Sequence, residues 1–172
     1  HELLVRWFEY GCFCPVMRLH GYRWPLQPQY GTTGGATCVS GAPNEVWSYT
    51  DQVCEILSDY LRLRERMLPY ITELMEEAHE KGTPVMRPLF YDFPEDKESW
   101  NVETEYMFGP KVLVKPITDA DARETDVYLP GGASWTNAWT GETFEGGQKV
   151  HVAAPIEQIP LFTRDGYKLP MK

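Results

Sequence analysis

The sequence lacks two features that mark large classes of protein: a long apolar segment and an excess of basic residues. A membrane-spanning helix needs about 20 mostly apolar residues, and no apolar run here reaches about 18. Lysine and arginine number 16 against 25 aspartates and glutamates, which gives a net charge of −9 over 172 residues. Nucleic-acid binding depends on basic side chains that neutralise phosphates, and no basic stripe is present. We therefore expect neither a membrane protein nor a nucleic-acid-binding protein.

Cysteine is also scarce. The chain has four cysteines, and none of them forms the Cys-x-x-Cys pair typical of zinc sites. We expect reduced, buried or half-buried thiols and no metal site. The first residues, with Glu2, Arg6 and Glu9, do not follow the basic-then-apolar layout of a signal peptide. The free-looking cysteines lead us to expect a cytoplasmic protein.

The first 21 residues predict a helix followed by a short strand with a polar end. Apolar spacing indicates a helix from Leu3 to Tyr10 that stops at Gly11, and the apolar run from Phe13 to Leu19 predicts a strand. Arg18 lies near the end of that strand, and His20 directly follows it. Polar side chains at the end of a buried strand are costly unless they contact something polar. In a parallel α/β barrel, that strand end is where substrates bind.

A long loop and a long helical stretch follow. The loop from His20 to Asn44 is rich in Gly, Thr, Pro and Gln, and such long loops are often functional. Its Trp24 could contact a ligand or simply pack the loop down. Helical spacing then runs from about Asn44 to Lys81, with Ser40 or Asn44 as the N-cap, a kink or break expected at Pro69 and a stop at Gly82. The three arginines from 62 to 66 predict a solvated face or contacts to a neighbour outside this sequence.

From Pro84 onward, short runs of β-branched and aromatic residues alternate with turn residues. This spacing is typical of an antiparallel β-sandwich, and the first run spans Val85 to Phe93. Trp135 and Trp139 could form a sugar-stacking platform, but core packing is the favoured interpretation. The carboxylates around Asp92 and Asp96, like those from 76 to 80, have the pattern of solvated turns and helix faces.

Many ordered motifs extend over nearly the whole chain. They are Arg6-Trp7, Gly11-Cys12-Phe13, Pro15, Arg18-Leu19-His20-Gly21, 44–48, 63–70, 82–90, 92–94, 106–109, 127–130, Trp135-Thr136, 139–141, 160–162 and 164–166. With these motifs the chain resembles glycoside hydrolase family 31, the retaining α-glucosidases and α-xylosidases. The resemblance implies an α+β architecture. Residues 1–83 would be the final helix-strand-helix portion of a (β/α)8 barrel, including the long loop, and residues 84–172 an antiparallel β-sandwich.

The resemblance also implies a chemistry and a site. Members of this family hydrolyse α-linked glucosides or xylosides through a covalent glycosyl-aspartyl intermediate, with no metal and no organic cofactor. His20 matches the histidine that binds sugar hydroxyls in the −1 subsite. Arg18 is expected to support it, and Trp24 is a further candidate for substrate contact. The Arg18-Leu19-His20-Gly21 form leans weakly towards a bacterial enzyme and towards xylosides.

Two essential residues of such an enzyme have no counterpart in this sequence. A retaining glycosidase needs two carboxyl groups about 5 Å apart, one as nucleophile and one as acid/base. In family members both aspartates precede the Arg-Trp helix, so the chain is expected to be a C-terminal piece that contains no catalytic residue and is inactive alone.

Two further expectations concern alternatives and partners. A non-catalytic carbohydrate-binding or structural β-sandwich module is the alternative function, although such a module has no use for the segment from Arg6 to His20. The apolar faces between Leu3 and Lys81 would be exposed outside a complete barrel. Exposed patches of that size usually find partners, so we expect the isolated chain to self-associate.

Overall fold

The computed structural model describes residues 1–171, in which four α-helices precede or accompany eight β-strands. The helices are α1 (Glu2–Cys12), α2 (Asp51–Arg66), α3 (Leu68–Lys81) and the short α4 (Leu89–Asp92). The strands are β1 (Met86–Arg87), β2 (Tyr106–Phe108), β3 (Val112–Val114), β4 (Glu124–Leu129), β5 (Ser134–Asn137), β6 (Thr143–Glu145), β7 (Gln148–Ala153) and β8 (Leu161–Arg164). Short 3-10 turns span Gly34–Thr37, Val46–Ser48 and Lys97–Trp100. None of the helices in this part of the chain combines the length and apolarity that crossing a membrane requires.

The strand predicted from Phe13 to Leu19 does not form. Gly11 lies inside α1, the helix ends at Cys12, and the following residues are irregular. A strand is stable only when a neighbouring strand pairs with its backbone groups. None of the eight strands of residues 1–171 pairs with this segment, so that prediction was wrong for the chain as described.

The long helical stretch is two helices, so the interruption expected near Pro69 is a break. Its first turn begins later than predicted, because the Thr50 hydroxyl, and not Ser40 or Asn44, caps α2 by accepting from the Val53 N–H at 3.3 Å. The break falls at Met67, and Pro69 lies in the first turn of α3. Proline is tolerated there because that N–H has no helical partner in any case. Gly82 ends α3 with φ 70°, as the sequence predicted.

The second half is built from two antiparallel sheets. One has six strands in the order β1-β2-β3-β8-β5-β6, and the other pairs β4 with β7. Leu113, Trp135 and Phe162 of the larger sheet share a buried cluster with Val127 and Val150 of the smaller one. The antiparallel β-sheet prediction is confirmed, although the run predicted from Val85 to Phe93 is only a two-residue strand followed by α4.

The other face of the six-stranded sheet packs against the helices. A second cluster joins Phe8 of α1 and Leu57 of α2 to Phe108, Val114 and Leu161 of the sheet. Burying apolar area at about 25 cal/mol per Å² makes this layer the main attraction between the two halves. The helical part and the sheets are therefore held together by one continuous core.

A buried arginine adds a polar connection across the same boundary. Arg6 of α1 is 7% exposed. Its Nη1 donates to Glu9 Oε2 at 3.0 Å and to the Pro155 carbonyl at 3.1 Å, and its Nη2 donates to the carbonyls of Ala122 at 3.1 Å and Ala154 at 2.7 Å. Burying a guanidinium is costly unless its donors are bonded; here both terminal nitrogens are bonded, while the buried Nε–H has no partner among the described residues. The contact attaches α1 to the loops at the ends of β4 and β7.

Glu9 extends this connection to α2. The Tyr60 hydroxyl lies 3.1 Å from Glu9 Oε1 and accepts from the Ile159 N–H at 3.0 Å. Burial raises the pKa of Glu9 to about 7, while the Arg6 charge acts in the opposite direction. Burial also raises the pKa of Tyr60, which remains a protonated donor. We name Arg6, Glu9 and Tyr60 the junction triad.

The first prediction concerns the junction triad. Arg6→Met keeps the apolar stem but removes the charge and its carbonyl bonds, leaving Glu9 buried without its cation. We expect the free energy of unfolding to fall by about 3 kcal/mol or more. Urea unfolding followed by circular dichroism measures it. The matched control is Arg62→Met, which breaks only the exposed Arg62–Asp59 pair and should cost no more than about 1 kcal/mol. Equal losses in the two variants would contradict the assigned role.

The second prediction concerns pH and Glu105. This buried carboxylate accepts from the Tyr128 N–H at 3.0 Å and lies 3.8 Å from Lys115 Nζ. Burial raises the pKa of Glu105 to about 7, above the value of about 4.3 in an unfolded chain. The folded state therefore favours the protonated form. The stability that this form contributes is complete below about pH 4.3 and is lost as the pH rises through about 7.

Relative to Glu105→Gln, the unmodified chain should lose on the order of 2 kcal/mol of unfolding free energy between about pH 4.5 and pH 7. Urea unfolding at several pH values tests this. Glu103→Gln, at a neighbouring exposed carboxylate, should give a curve parallel to that of the unmodified chain. A parallel curve for Glu105→Gln as well would show the assignment to be wrong.

Candidate substrate-contact site

Arg18 and His20 meet at an exposed position beyond the end of α1. Arg18 Nη2 lies 3.3 Å from His20 Nδ1, and both side chains are open to solvent. The sequence predicted that both lie at the end of a strand; the structure brings them together, but on irregular backbone. Trp24 is 77% exposed and forms no hydrogen bond with either of them among the described residues. The structure thus joins two of the three predicted contact residues.

The contact between Arg18 and His20 indicates which ring nitrogen carries the proton. A guanidinium can only donate hydrogen bonds, so a bond to Nδ1 requires that nitrogen to accept. A neutral imidazole then carries its proton on Nε2. The His20 Nε2–H is left free to donate to a ligand hydroxyl.

Side chains of other elements hold the segment that leads to this pair. Arg64 of α2 donates through Nη1 to the carbonyls of Cys12 at 2.7 Å and Cys14 at 2.8 Å, and through Nη2 to that of Pro15 at 3.0 Å. The Tyr106 hydroxyl of β2 donates to the Phe13 carbonyl at 3.0 Å. Four successive carbonyls, from residue 12 to residue 15, therefore accept bonds from side chains. We name Arg64 and Tyr106 the carbonyl clamp.

The loop after His20 folds back and closes on itself. Gln27 and Ser40 exchange backbone bonds at 2.8 and 3.1 Å, and the Ala42 N–H donates to the Arg23 carbonyl at 2.8 Å. Arg23 Nε donates to the Pro43 carbonyl at 2.9 Å, and its guanidinium lies 4.7 Å from the centre of the Tyr49 ring. The loop is consequently attached at its base while Trp24 projects outward.

Gly21 is required by close packing beside His20. A Cβ atom at this position would collide with the side-chain amide of Asn44. The Asn44 carbonyl oxygen in turn accepts from the Tyr49 hydroxyl. The backbone next to His20 is therefore in tight contact with the end of the loop.

No carboxylate of residues 1–171 forms a hydrogen bond or ion pair with Arg18 or His20. Asp92 accepts from Arg87 Nη1 at 3.1 Å, and Asp96 accepts from the Tyr128 hydroxyl at 2.7 Å. Both were expected in solvated turns, and both are instead partners of nearby side chains. Within the same residues, no three His, Cys, Asp or Glu side chains gather as a metal site requires.

The remaining aromatic and cysteine predictions are resolved by burial. Trp135 is fully buried with its Nε1–H donating to the Pro130 carbonyl at 2.9 Å, so it belongs to the core. Trp139 is half-buried and its Nε1–H donates to the Ile159 carbonyl at 2.7 Å. The four cysteines are all free, from buried Cys12 to exposed Cys38.

Sequence reasoning missed the carbonyl clamp. The arginines of α2 were expected to be solvated or to contact a neighbour outside the sequence, but Arg64 bonds to carbonyls within this chain. Arg66 likewise donates to the carbonyls of Pro170 at 2.8 Å and Met171 at 2.9 Å. Arg62, paired with Asp59, and Arg66 are both exposed, whereas Arg64 is half-buried. A usable signal existed: residues 62, 64 and 66 cannot share one face of a helix.

Two family models match successive parts of the sequence. The model described as Glycosyl hydrolases family 31 TIM-barrel domain matches residues 1–74. The model described as Glycosyl hydrolase family 31 C-terminal domain matches residues 82–169. The first match ends within α3, and the second begins at Gly82, directly after α3 and before the sheets.

Individual proteins of known activity are similar along nearly the whole chain. An alpha-xylosidase of Saccharolobus solfataricus is 36% identical over 99% of this chain and 21% of its own length. Alpha-glucosidase 2 of Bacillus thermoamyloliquefaciens is 36% identical over 96% of this chain and 19% of its own length. The chain thus spans about a fifth of the length of these curated relatives.

Solved structures share the fold closely. A soil-metagenome GH31 alpha-xylosidase complexed with xylose is 46% identical with a TM-score of 0.91, and the match covers 98% of this chain and 25% of that one. A Flavobacterium johnsoniae GH31 dextranase complexed with isomaltotriose is 30% identical with a TM-score of 0.81, over 96% of this chain and 18% of that one.

Proposed function

This chain belongs to glycoside hydrolase family 31, and on that premise we propose that it supplies a sugar contact of a retaining α-glycosidase. The observation that carries the proposal is the Arg18–His20 pair, exposed at the end of a segment that two other elements hold in place. The pair belongs to the part of the chain that matches the catalytic-barrel model.

His20 would bind a hydroxyl of the sugar in the −1 subsite. Its free Nε2–H can donate, and Arg18 keeps Nδ1 as the acceptor, so the ring presents one defined nitrogen to the ligand. Such a bond favours catalysis when it is stronger in the distorted, oxocarbenium-like transition state than in the ground state. Trp24, projecting from the loop, is the proposed third contact.

The substrate class follows from the relatives. Relatives that bear the names alpha-xylosidase and alpha-glucosidase lead us to propose α-linked xylosides or glucosides as substrates. The reaction needs a nucleophilic carboxylate and a protonating carboxyl group about 5 Å apart. We assign neither to this chain, which we propose to be inactive alone. We also propose a cytoplasmic setting, which the free cysteines support.

The third prediction tests the sugar contact. In a protein that extends this chain at its N-terminal side with the preceding catalytic-barrel sequence, His20→Ala should lower kcat/KM by at least about tenfold, since it removes a bond made in the transition state. Hydrolysis of p-nitrophenyl α-xyloside and α-glucoside measures it. His79→Ala, at an exposed histidine of α3, should leave activity unchanged.

Two outcomes would overturn the function. One is an extended protein that hydrolyses neither of these substrates nor natural α-linked oligosaccharides. The other is full activity of His20→Ala. Saturable sugar binding by the 172-residue chain without hydrolysis in the extended protein would instead favour a carbohydrate-binding module.

We also propose that the isolated 172-residue chain self-associates. Leu3 is 71% exposed and Trp7 64% exposed on one side of α1, and apolar surface of this kind drives association. Helices could pack between copies, or α1 could exchange between them.

The fourth prediction follows from that exposure. Light scattering at micromolar concentrations should give a mass above the 19.8 kDa monomer. The double variant Leu3→Ser/Trp7→Ser should shift the mass towards the monomer, whereas Glu76→Ser, at an exposed residue of α3, should not. A constant monomer mass for the unmodified chain would contradict the proposal.

A further inference from the structure

The carbonyl clamp binds the backbone of the segment that follows α1. Within residues 1–171, no strand forms a ladder with residues 13–19, yet the four carbonyls from residue 12 to residue 15 all accept side-chain bonds. Buried carbonyls left without partners would be costly. We infer that Arg64 and Tyr106 are positioning residues, which set the direction in which the chain leaves α1 and so place Arg18 and His20. The effect on catalysis rests on the proposed function; the effect on the segment does not.

Arg64 suits this role because its guanidinium is a rigid fork. Its two terminal nitrogens hold three carbonyls at 2.7 to 3.0 Å, which fixes their relative directions as a flexible lysine ammonium could not. The Cys12 carbonyl belongs to the last turn of α1, where carbonyls lack helical partners and a positive charge is favourable. One side chain therefore ends the helix and directs the residues that follow it.

Tyr106 binds the same segment and lies on a different element, strand β2. Its hydroxyl donates to Phe13, the carbonyl that Arg64 does not reach. Burial raises the pKa of Tyr106, so the hydroxyl stays protonated and able to donate. The Phe13 side chain is fully buried and contacts Phe108 edge-on, with ring centres 6.1 Å apart. Helix α2 and strand β2 thus converge on one short stretch of backbone.

The fifth prediction tests the clamp without any sugar. Trypsin should cleave the 172-residue chain after Arg18 at least about tenfold faster in Arg64→Ala. The reason is that this variant loses the hydrogen bonds from the charged guanidinium to the carbonyls of the segment. Tyr106→Phe, which removes only the hydroxyl, should give an increase of a few fold. Mass spectrometry of the fragment that ends at Arg18 measures the rate.

Two further variants serve as controls for the trypsin experiment. Arg62→Ala removes an exposed arginine from the same helix and should leave the rate unchanged. If Arg64→Ala does not fold, Arg64→Lys, which keeps the charge but not the fork, should still give an intermediate rate. Cleavage in Arg64→Lys and Tyr106→Phe no faster than in Arg62→Ala would overturn the inference.

A double-mutant cycle in the extended enzyme separates positioning from general structural damage. Arg64→Lys alone should lower kcat/KM by about tenfold, but by less than about twofold when His20 is already alanine, because residues that act through one another are not additive. Equal losses in both backgrounds would show that Arg64 does not act through His20. If the unmodified extended enzyme is inactive, the proposed function fails, and the trypsin comparison still decides whether the clamp orders the segment.

Discussion

The buried guanidinium of Arg6 is the contact on which the arrangement of the two halves depends. A buried ion is costly unless it is paired and bonded, and the two terminal nitrogens of Arg6 reach Glu9 on its own helix and the carbonyls of Ala122, Ala154 and Pro155 beyond it. The apolar layer attracts helices to the sheet without specifying a direction. The directional bonds of Arg6 select one placement of α1.

The position of the candidate site follows from that placement. Helix α1 ends at Cys12, and from there the backbone carbonyls accept hydrogen bonds from Arg64 and Tyr106. Arg64 lies one turn beyond Tyr60 on α2, and Tyr60 contacts Glu9. The junction triad and Arg64 therefore connect the same two helices, α1 and α2.

Prediction from the sequence succeeded where the pattern is local. Helical spacing and Gly82 identified α2 and α3 and the end of α3, and alternation with turn residues identified the antiparallel strands. It failed where the outcome depended on a partner distant in sequence. The apolar run after Gly11 has the composition of a strand but no ladder within the described residues, and the Thr50 cap was missed because several polar residues near it were equally suitable.

By itself, the sequence determined the family resemblance, the class of each half and the identity of Arg18 and His20 as the residues of interest, because these depend on motif order and residue type. Only the tertiary structure decided which arginines are buried and what they bind. Arg6, Arg62 and Arg64 are chemically identical in sequence; one joins the two halves, one is solvated and one holds the backbone. The physical reason is that a guanidinium takes its role from the carbonyls that folding brings within reach, and those belong to residues up to 152 positions away.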